Sequence, residues 1–252
     1  MSVLIYEKRD QVAYITLNRP EVLNAIDGEL NEALRDAFQD YWDDSSLLAA
    51  IVSGAGRAFS AGADIKAMAA KGMSAGEQYD VSPLEMGVWK PIIAAIDGYC
   101  LAGGFTLATQ CDIRIATERS KFGIVAARIG AGVGPMTLCL GRMVPFGEAL
   151  YLQLTGSQIT AEKALSYGLV NKVVSSREDM MKEAEAVAEE IKLCAPLAIQ
   201  AAKRLNYTSM MWEPEHVKGL IGEVRQELSR TEDAKEGPLA FAEKRRPVWK
   251  MR

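Results

Sequence analysis

PIIAAIDGYCLAGGFTLATQCDIR, residues Pro91–Arg114, is the stretch whose reading decides the fold. It opens on an apolar run, Ile92-Ile93-Ala94-Ala95-Ile96, which predicts a buried strand. Asp97-Gly98 turns the chain. Ala102-Gly103-Gly104 then leads into a second apolar segment, Phe105 to Ala108, so the expected order is strand, tight turn, helix start. The first backbone N–H groups of a helix have no partner inside it, and the helix dipole adds partial positive charge there. A helix start made of glycine therefore offers bare donors to an incoming oxygen. The same glycines serve equally well for close strand–helix packing, and this stretch alone does not separate the two readings.

A second stretch of the same kind lies upstream. Ser53–Lys66, SGAGRAFSAGADIK, follows an apolar strand at Leu48–Val52 and also passes through small residues into a helix start. Two such turns can aim two N–H groups at one carbonyl oxygen, an arrangement that stabilises a developing oxyanion.

Composition sets the outer bounds. The chain has 252 residues, 49% hydrophobic and 25% charged, enough for a large core in one or two domains. A net charge of −4 argues against a nucleic-acid surface, while local basic residues remain free to meet phosphates. Cys100, Cys111, Cys139 and Cys194 have no CxxC spacing and read as free thiols of a reducing compartment. No metal-ligand set is expected. MSVLIYEKRD meets charge at Glu7, without the long apolar core of a signal peptide, and no apolar run approaches a membrane span. A cytoplasmic protein is expected.

Along the chain, Val3–Tyr6 and Val12–Leu17 predict a hairpin around Lys8-Arg9-Asp10-Gln11. From Asp27, a candidate cap, Leu30, Ala33, Leu34, Ala37, Phe38, Tyr41 and Trp42 fall on one helical face. The strand-to-helix order then recurs at Leu48–Val52 and Ile92–Ile96, suggesting repeated ββα units. Ala67–Met86 reads as a mobile helix or loop over the site. Two short strands are expected after Asp112. Ile129–Pro135 lacks the spacing of a dinucleotide loop and reads as a glycine-rich turn lining a pocket. From Pro145 onward the pattern is helical: a short helix from Thr160 to Gly168, a long one after Ser175 or Ser176 to Cys194, another from Pro196, and a last one from Thr231-Glu232-Asp233.

Six motifs in order carry a resemblance: NRPEVLNAI (18–26), AFSAGADIK (58–66), PIIAAIDGYCLAGGFTLATQCDIRIA (91–116), KFG (121–123), LTGSQITAEKALSYGLVNKVV (154–174) and EGPLAFAEKRRPVW (236–249). Together they span nearly the whole chain, which resembles the crotonase superfamily, the enoyl-CoA hydratase/isomerase family. The resemblance implies an α/β fold with a ββα spiral core over residues 1–195 and a helical C-terminal region, 196–252, that packs subunits into homotrimers, often paired into hexamers. It implies an acyl-CoA thioester as substrate, with coenzyme A as part of it and no tightly bound cofactor. It makes the amides of Ala63 and Gly103 an oxyanion hole. Val22, Leu23, Ala61, Asp64 and Ile65 match positions around the adenine and pantetheine. Phe241 and Lys244 match C-terminal residues that reach CoA, sometimes across a subunit boundary. Lys244-Arg245-Arg246 is a positive cluster suited to phosphate, or else a solvated helix end. Glu21 stands where relatives often have a basic residue.

The chain departs from the family's pattern at the proton-transfer positions. Hydratases place a glutamate three residues after the oxyanion glycine, here Thr106, and another in the segment after Phe122-Gly123, here Ala126. Gly134 occupies a third place, where some relatives carry an aspartate. Thr106 can orient a water or simply pack. Arg128 can bind a substrate carboxylate or be a surface arginine. Glu77, Tyr79, Asp80 and Glu85 lie in the segment over the site and His216 on a C-terminal helix, and each also reads as ordinary surface. Asp64 is a candidate cap for the helix after Ala63. Three functions stay open: an acyl-CoA enzyme of the enoyl-CoA hydratase/isomerase type; the same fold performing decarboxylation, thioester hydrolysis or hydration of a cyclic dienoyl-CoA; and a non-catalytic acyl-CoA-binding protein.

Overall fold

A computed structural model of the chain describes residues 2–70, 81–125, 128, 135–211 and 214–252, excepting the side chains of 135–138, 211, 214–221, 241 and 242. The strands are β1 (Leu4–Arg9), β2 (Val12–Leu17), β3 (Ala49–Gly54), β4 (Ala58–Ser60), β5 (Ile92–Ile96), β6 (Tyr99–Leu101), β7 (Ile113–Thr117), β8 (Lys121–Gly123), β9 (Gln158–Thr160) and β10 (Lys172–Val174). The helices are α1 (Gly28–Asp43), α2 (Ile65–Ala70), α3 (Gly103–Gln110), α4 (Pro135–Met143), α5 (Phe146–Thr155), α6 (Ala161–Ser166), α7 (Arg177–Lys192), α8 (Pro196–Met211), α9 (Pro214–Ser229) and α10 (Asp233–Ala242).

A six-stranded sheet has the order β1-β2-β3-β5-β7-β10, and a four-stranded sheet the order β4-β6-β8-β9. The hairpin β1–β2 is antiparallel, while β2, β3, β5, β7 and β10 run parallel. The pairs β3–β4, β5–β6 and β7–β8 each give one strand to the large sheet and the next to the small one. The first two pairs then enter α2 and α3, so the expected ββα repetition is present.

Every residue of β3 and β5 is buried, as a parallel sheet covered on both faces requires. Alternate side chains separate cleanly. Ala50, Val52, Ile92, Ala94 and Ile96 join a core with Leu30, Leu34 and Phe38 of α1 and Phe105 of α3. Ala49, Ile51, Ile93 and Ala95 face Met180, Ala184 and Ala188 of α7. The alanines at four-residue spacing let α7 lie close to the sheet.

Local chemistry sets the helix ends. Asp27 accepts from the Leu30 amide, Thr160 from Lys163 and Ser176 from Asp179. Three expectations are corrected. The hairpin turn is only Asp10-Gln11, both at positive φ, and β1 runs on through Lys8 and Arg9. The Gly98 turn leads first into β6, not directly into α3. The region after Pro145 contains β9 and β10, each three residues long, too short to show a period. Glu77, Tyr79, Asp80, Ala126 and Gly134 lie outside the described residues, as do the side chains of His216 and Phe241. None of the helices among the described residues is long and apolar enough to cross a membrane. All four cysteines are free.

Candidate active site

The first corner is built by pairing between two loops. The Ala61 amide donates to Leu23 O (3.0 Å), Ile26 to Gly62 O (2.7 Å) and Asp64 to Ile26 O (2.9 Å). Ile26 and Ala63 thereby form a parallel bridge. In an extended chain successive amides point to opposite sides, so the bonds at Gly62 O and Asp64 N leave the Ala63 amide facing away from Ile26.

Buried polar side chains hold this loop. Asn24, fully buried at φ 53°, donates to Ala55 O (2.9 Å) and Ala58 O (2.8 Å) and accepts from the Arg19 amide (2.8 Å). The buried Ser60 hydroxyl donates to Asn24 O (2.8 Å) and accepts from the Gly62 amide (3.1 Å). Arg19 pairs with Asp27 (3.0 Å) and Asp64 (3.2 Å), and Asp64 also accepts from the Ala67 amide (3.0 Å). Asp64 is therefore the cap of α2, with its carboxylate directed into the protein's own bonds.

The second corner is the entry into α3. Ala102 adopts φ 47°, ψ −120°, a strained conformation for a residue with a side chain, and it has no capping side chain to offer the amides behind it. Thr106 closes the first turn by donating its amide to Ala102 O (2.9 Å).

The two corners touch. A Cβ placed on Gly103 would stand 3.6 Å from Ala63 N and 3.7 Å from Gly62 Cα. Gly62 sits at φ 94°, and a Cβ there would fall 2.9 Å from Gly103 N. Among the described residues no hydrogen bond is made by the Ala63 or the Gly103 amide. Two unengaged donors thus lie side by side, the second at the positive end of α3.

The family model for enoyl-CoA hydratase/isomerase matches residues 7–252. The chain belongs to the enoyl-CoA hydratase/isomerase family. Among its relatives, (E)-benzylidenesuccinyl-CoA hydratase of Thauera aromatica is 38% identical, over 97% of both chains. Short-chain-enoyl-CoA hydratase of Clostridium acetobutylicum is 36% identical, over 96% of this chain and 95% of that one. The crystal structure of enoyl-CoA hydratase from Mycobacterium tuberculosis superposes with a TM-score of 0.91 at 36% identity, covering 99% of each chain. The fold is that of the crotonase superfamily, and the chain is an acyl-CoA-processing enzyme of the enoyl-CoA hydratase/isomerase type.

In this family member Val22, Leu23, Ala61, Ala63, Asp64 and Ile65 come together through the 23–26 and 61–64 pairing. Val22 and Ile65 leave 38% and 47% of their surface exposed, an apolar rim beside the two amides. Thr106 stands one helical turn after Gly103, half-buried, its hydroxyl donating to Ala102 O (3.3 Å). Arg128 is exposed and donates to Thr155 O (3.4 Å), lying against Gly156 at the end of α5. Glu21 and Glu85 are exposed.

The C-terminal residues lie elsewhere. A cleft of about 290 Å³ is lined by Trp249 and Lys250 together with Gln11, Ser45 and Leu48, at the starts of β2 and β3. The amide corners instead follow β4 and β6 of the small sheet. Lys244 is exposed, and Arg245 is committed to Glu236 and Glu243 (2.6 Å each). Among the described residues no hydrogen bond or ion pair joins Lys244, Arg245 or Arg246 to the loop of Val22 and Leu23.

Sequence reasoning gave no part to Arg19, Asn24 or Ser60. The first two stand inside the NRPEVLNAI motif, and their partners Ala55, Ala58 and Asp64 lie too far along the chain for a local pattern to show.

Proposed function

We propose that the enzyme binds the carbonyl oxygen of an acyl-CoA thioester between the N–H groups of Ala63 and Gly103 and processes the acyl group through the stabilised enolate. The observation that carries this is the contact of the two corners with both amides unengaged. Donors fixed in advance need no reorganisation as charge develops on the oxygen. Val22, Leu23, Ala61, Asp64 and Ile65 form the CoA rim on this reading, with the Asp64 side chain acting through the cap of α2. Coenzyme A enters as part of the substrate and no tightly bound cofactor is required. The CoA contacts of Phe241 and Lys244, the lysine to phosphate, come from a neighbouring subunit of a homotrimer or hexamer, which residues 196–252 assemble around the 1–195 core. Four free thiols suit a reducing, cytoplasmic setting.

Isothermal calorimetry with a panel of acyl-CoA thioesters tests the binding, and Gly103→Ala tests the hole. The added methyl meets ordinary van der Waals distances, so the variant folds, but it stands over the Ala63 amide. The expected result is an unchanged melting temperature with turnover lowered on the order of 100- to 1,000-fold. Full activity in the folded variant would refute the assignment.

Thr106 favours a second reading. A threonine hydroxyl orients a water but does not store a proton near neutral pH. Decarboxylation, thioester hydrolysis or hydration of a cyclic dienoyl-CoA leans more on the oxyanion hole than on a carboxylate at this position. Mass analysis of products from the same panel separates these reactions from simple enoyl hydration. Binding without any turnover points instead to a non-catalytic acyl-CoA-binding role.

A further inference from the structure

At the far end of α3 from the amide corner lies a cavity of about 260 Å³. Its walls are mostly apolar: Trp89, Cys139, Met143 and Met210 line it, with Tyr207 beside them. Gln110 also lines it. This side chain is only 6% exposed, yet neither its Nε2 nor its Oε1 has a hydrogen-bond partner among the described residues. Buried amides are nearly always paired, so an orphaned pair of donor and acceptor atoms enclosed in the wall of a cavity requires an account.

Position along the helix supplies one. Gln110 follows Gly103 by seven residues, two turns, and so lies on the same face of α3. The axial separation is about 10 Å at the α-helical rise per residue. An extended chain gains about 1.2 Å per bond, so an acyl group of roughly eight or nine bonds spans that separation. Helical side chains lean toward the N-terminus, which tilts Gln110 back toward Thr106 and the amides.

The chemistry of the far group follows from the walls. A glutamine amide is satisfied by a partner that both donates and accepts. Among the described residues lining the cavity there is no lysine, arginine or histidine, and Glu85 stands exposed at its edge. A carboxylate would enter without a cation to pair with, at a large desolvation cost. From this we infer that Gln110 is a specificity-determining residue, reading a neutral hydroxyl or carboxamide at the distal end of an otherwise apolar acyl chain. The inference rests on the reading that the thioester carbonyl sits at Ala63 and Gly103.

The test compares trans-enoyl-CoA thioesters stepped from hexenoyl to dodecenoyl, each plain or bearing a terminal hydroxyl, carboxamide or carboxylate. At one chain length the hydroxyl or carboxamide form is expected to exceed the plain form in kcat/KM by roughly 10- to 100-fold, with the carboxylate form poorest. Gln110→Met is expected to erase that preference. Equal rates for plain and neutral polar forms at every length overturn the inference, as does a preference for the carboxylate or a preference that survives in Gln110→Met. The wild-type comparison decides the matter even if the variant fails to fold. If no thioester of the panel is bound or processed, the thioester reading itself fails and takes this inference with it; turnover of the plain forms without discrimination removes the inference alone.

Discussion

Gly62 meets two demands that no other residue satisfies. Its φ of 94° lies where side chains are strained, and a Cβ there would stand 2.7 Å from Ala102 Cβ and 2.9 Å from both Gly103 N and Leu101 O. Gly62→Ala is expected to lose about 3 kcal/mol, strain and overpacking together, read from the shift of the urea midpoint at constant slope. A variant as stable as wild type would mean that the corners are not pressed together. Ala102 carries the opposite imbalance. Its conformation costs about 1–3 kcal/mol as alanine, whereas the extra entropy that glycine loses on folding is about 0.5–1 kcal/mol. Strain outweighs entropy at this position, so Ala102→Gly is expected to raise stability by about 1 kcal/mol in the same measurement. The sequence showed small residues at both corners. Which glycine faces which amide was not legible, because that contact joins residues about forty apart in the chain and depends on the β4–β6 pairing, not on any local pattern.

The elements were legible in proportion to their length and burial. β5 and α1 announced themselves through an unbroken apolar run and a seven-residue apolar stripe, and Asp27, Thr160 and Ser176 cap the helices whose starts they marked. The strands of the small sheet are three residues each and carry no period, so β6 and β9 were missed although they help set the site. Asp97, read only as a turn residue, is a joint between elements. Its buried carboxylate accepts from Thr117 (2.8 Å) and Arg119 (2.6 Å) and lies 3.5 Å from Arg177 of α7. Burial pushes this carboxyl up, but the bonds from Arg119 and Thr117 outweigh burial and hold it below the usual aspartate value. A depressed carboxylate contributes stability above its unfolded pKa of about 4 and loses it as pH falls through the lower folded value. Asp97→Asn is therefore expected to cost about 2 kcal/mol at neutral pH. The gap between variant and wild type should narrow below about pH 4 in urea melts. A gap that stays constant into acid would show that the charge of Asp97 is not what the joint uses.

The whole molecule poses a question of assembly. α5 leaves Phe146, Leu150, Tyr151 and Leu154 exposed along one face, 67% and 77% for the outer two, a patch of the kind that partner subunits cover. The tail from Pro247 to Met251 lies near the starts of β2 and β3 in the large sheet, while the two amides follow β4 and β6 of the small sheet. On the proposed reading Lys244 completes the CoA site of a neighbouring copy. That geometry is open to a complementation test. On that reading Gly103→Ala subunits retain Lys244 and Lys244→Ala subunits retain the two-amide hole, so each variant alone is expected to be defective. In co-expressed mixed oligomers, a contact made in trans rebuilds about a quarter of the sites from one intact half of each, because the symmetric interface pairs subunits at random. The expected outcome is kcat/KM recovering to about a quarter of wild type, well above the mean of the two parent variants. If Lys244 serves its own chain, no mixed pairing repairs a site and the mixture shows only that mean; light scattering on the same samples must also find an oligomer, since a monomer with full activity would remove the neighbour altogether.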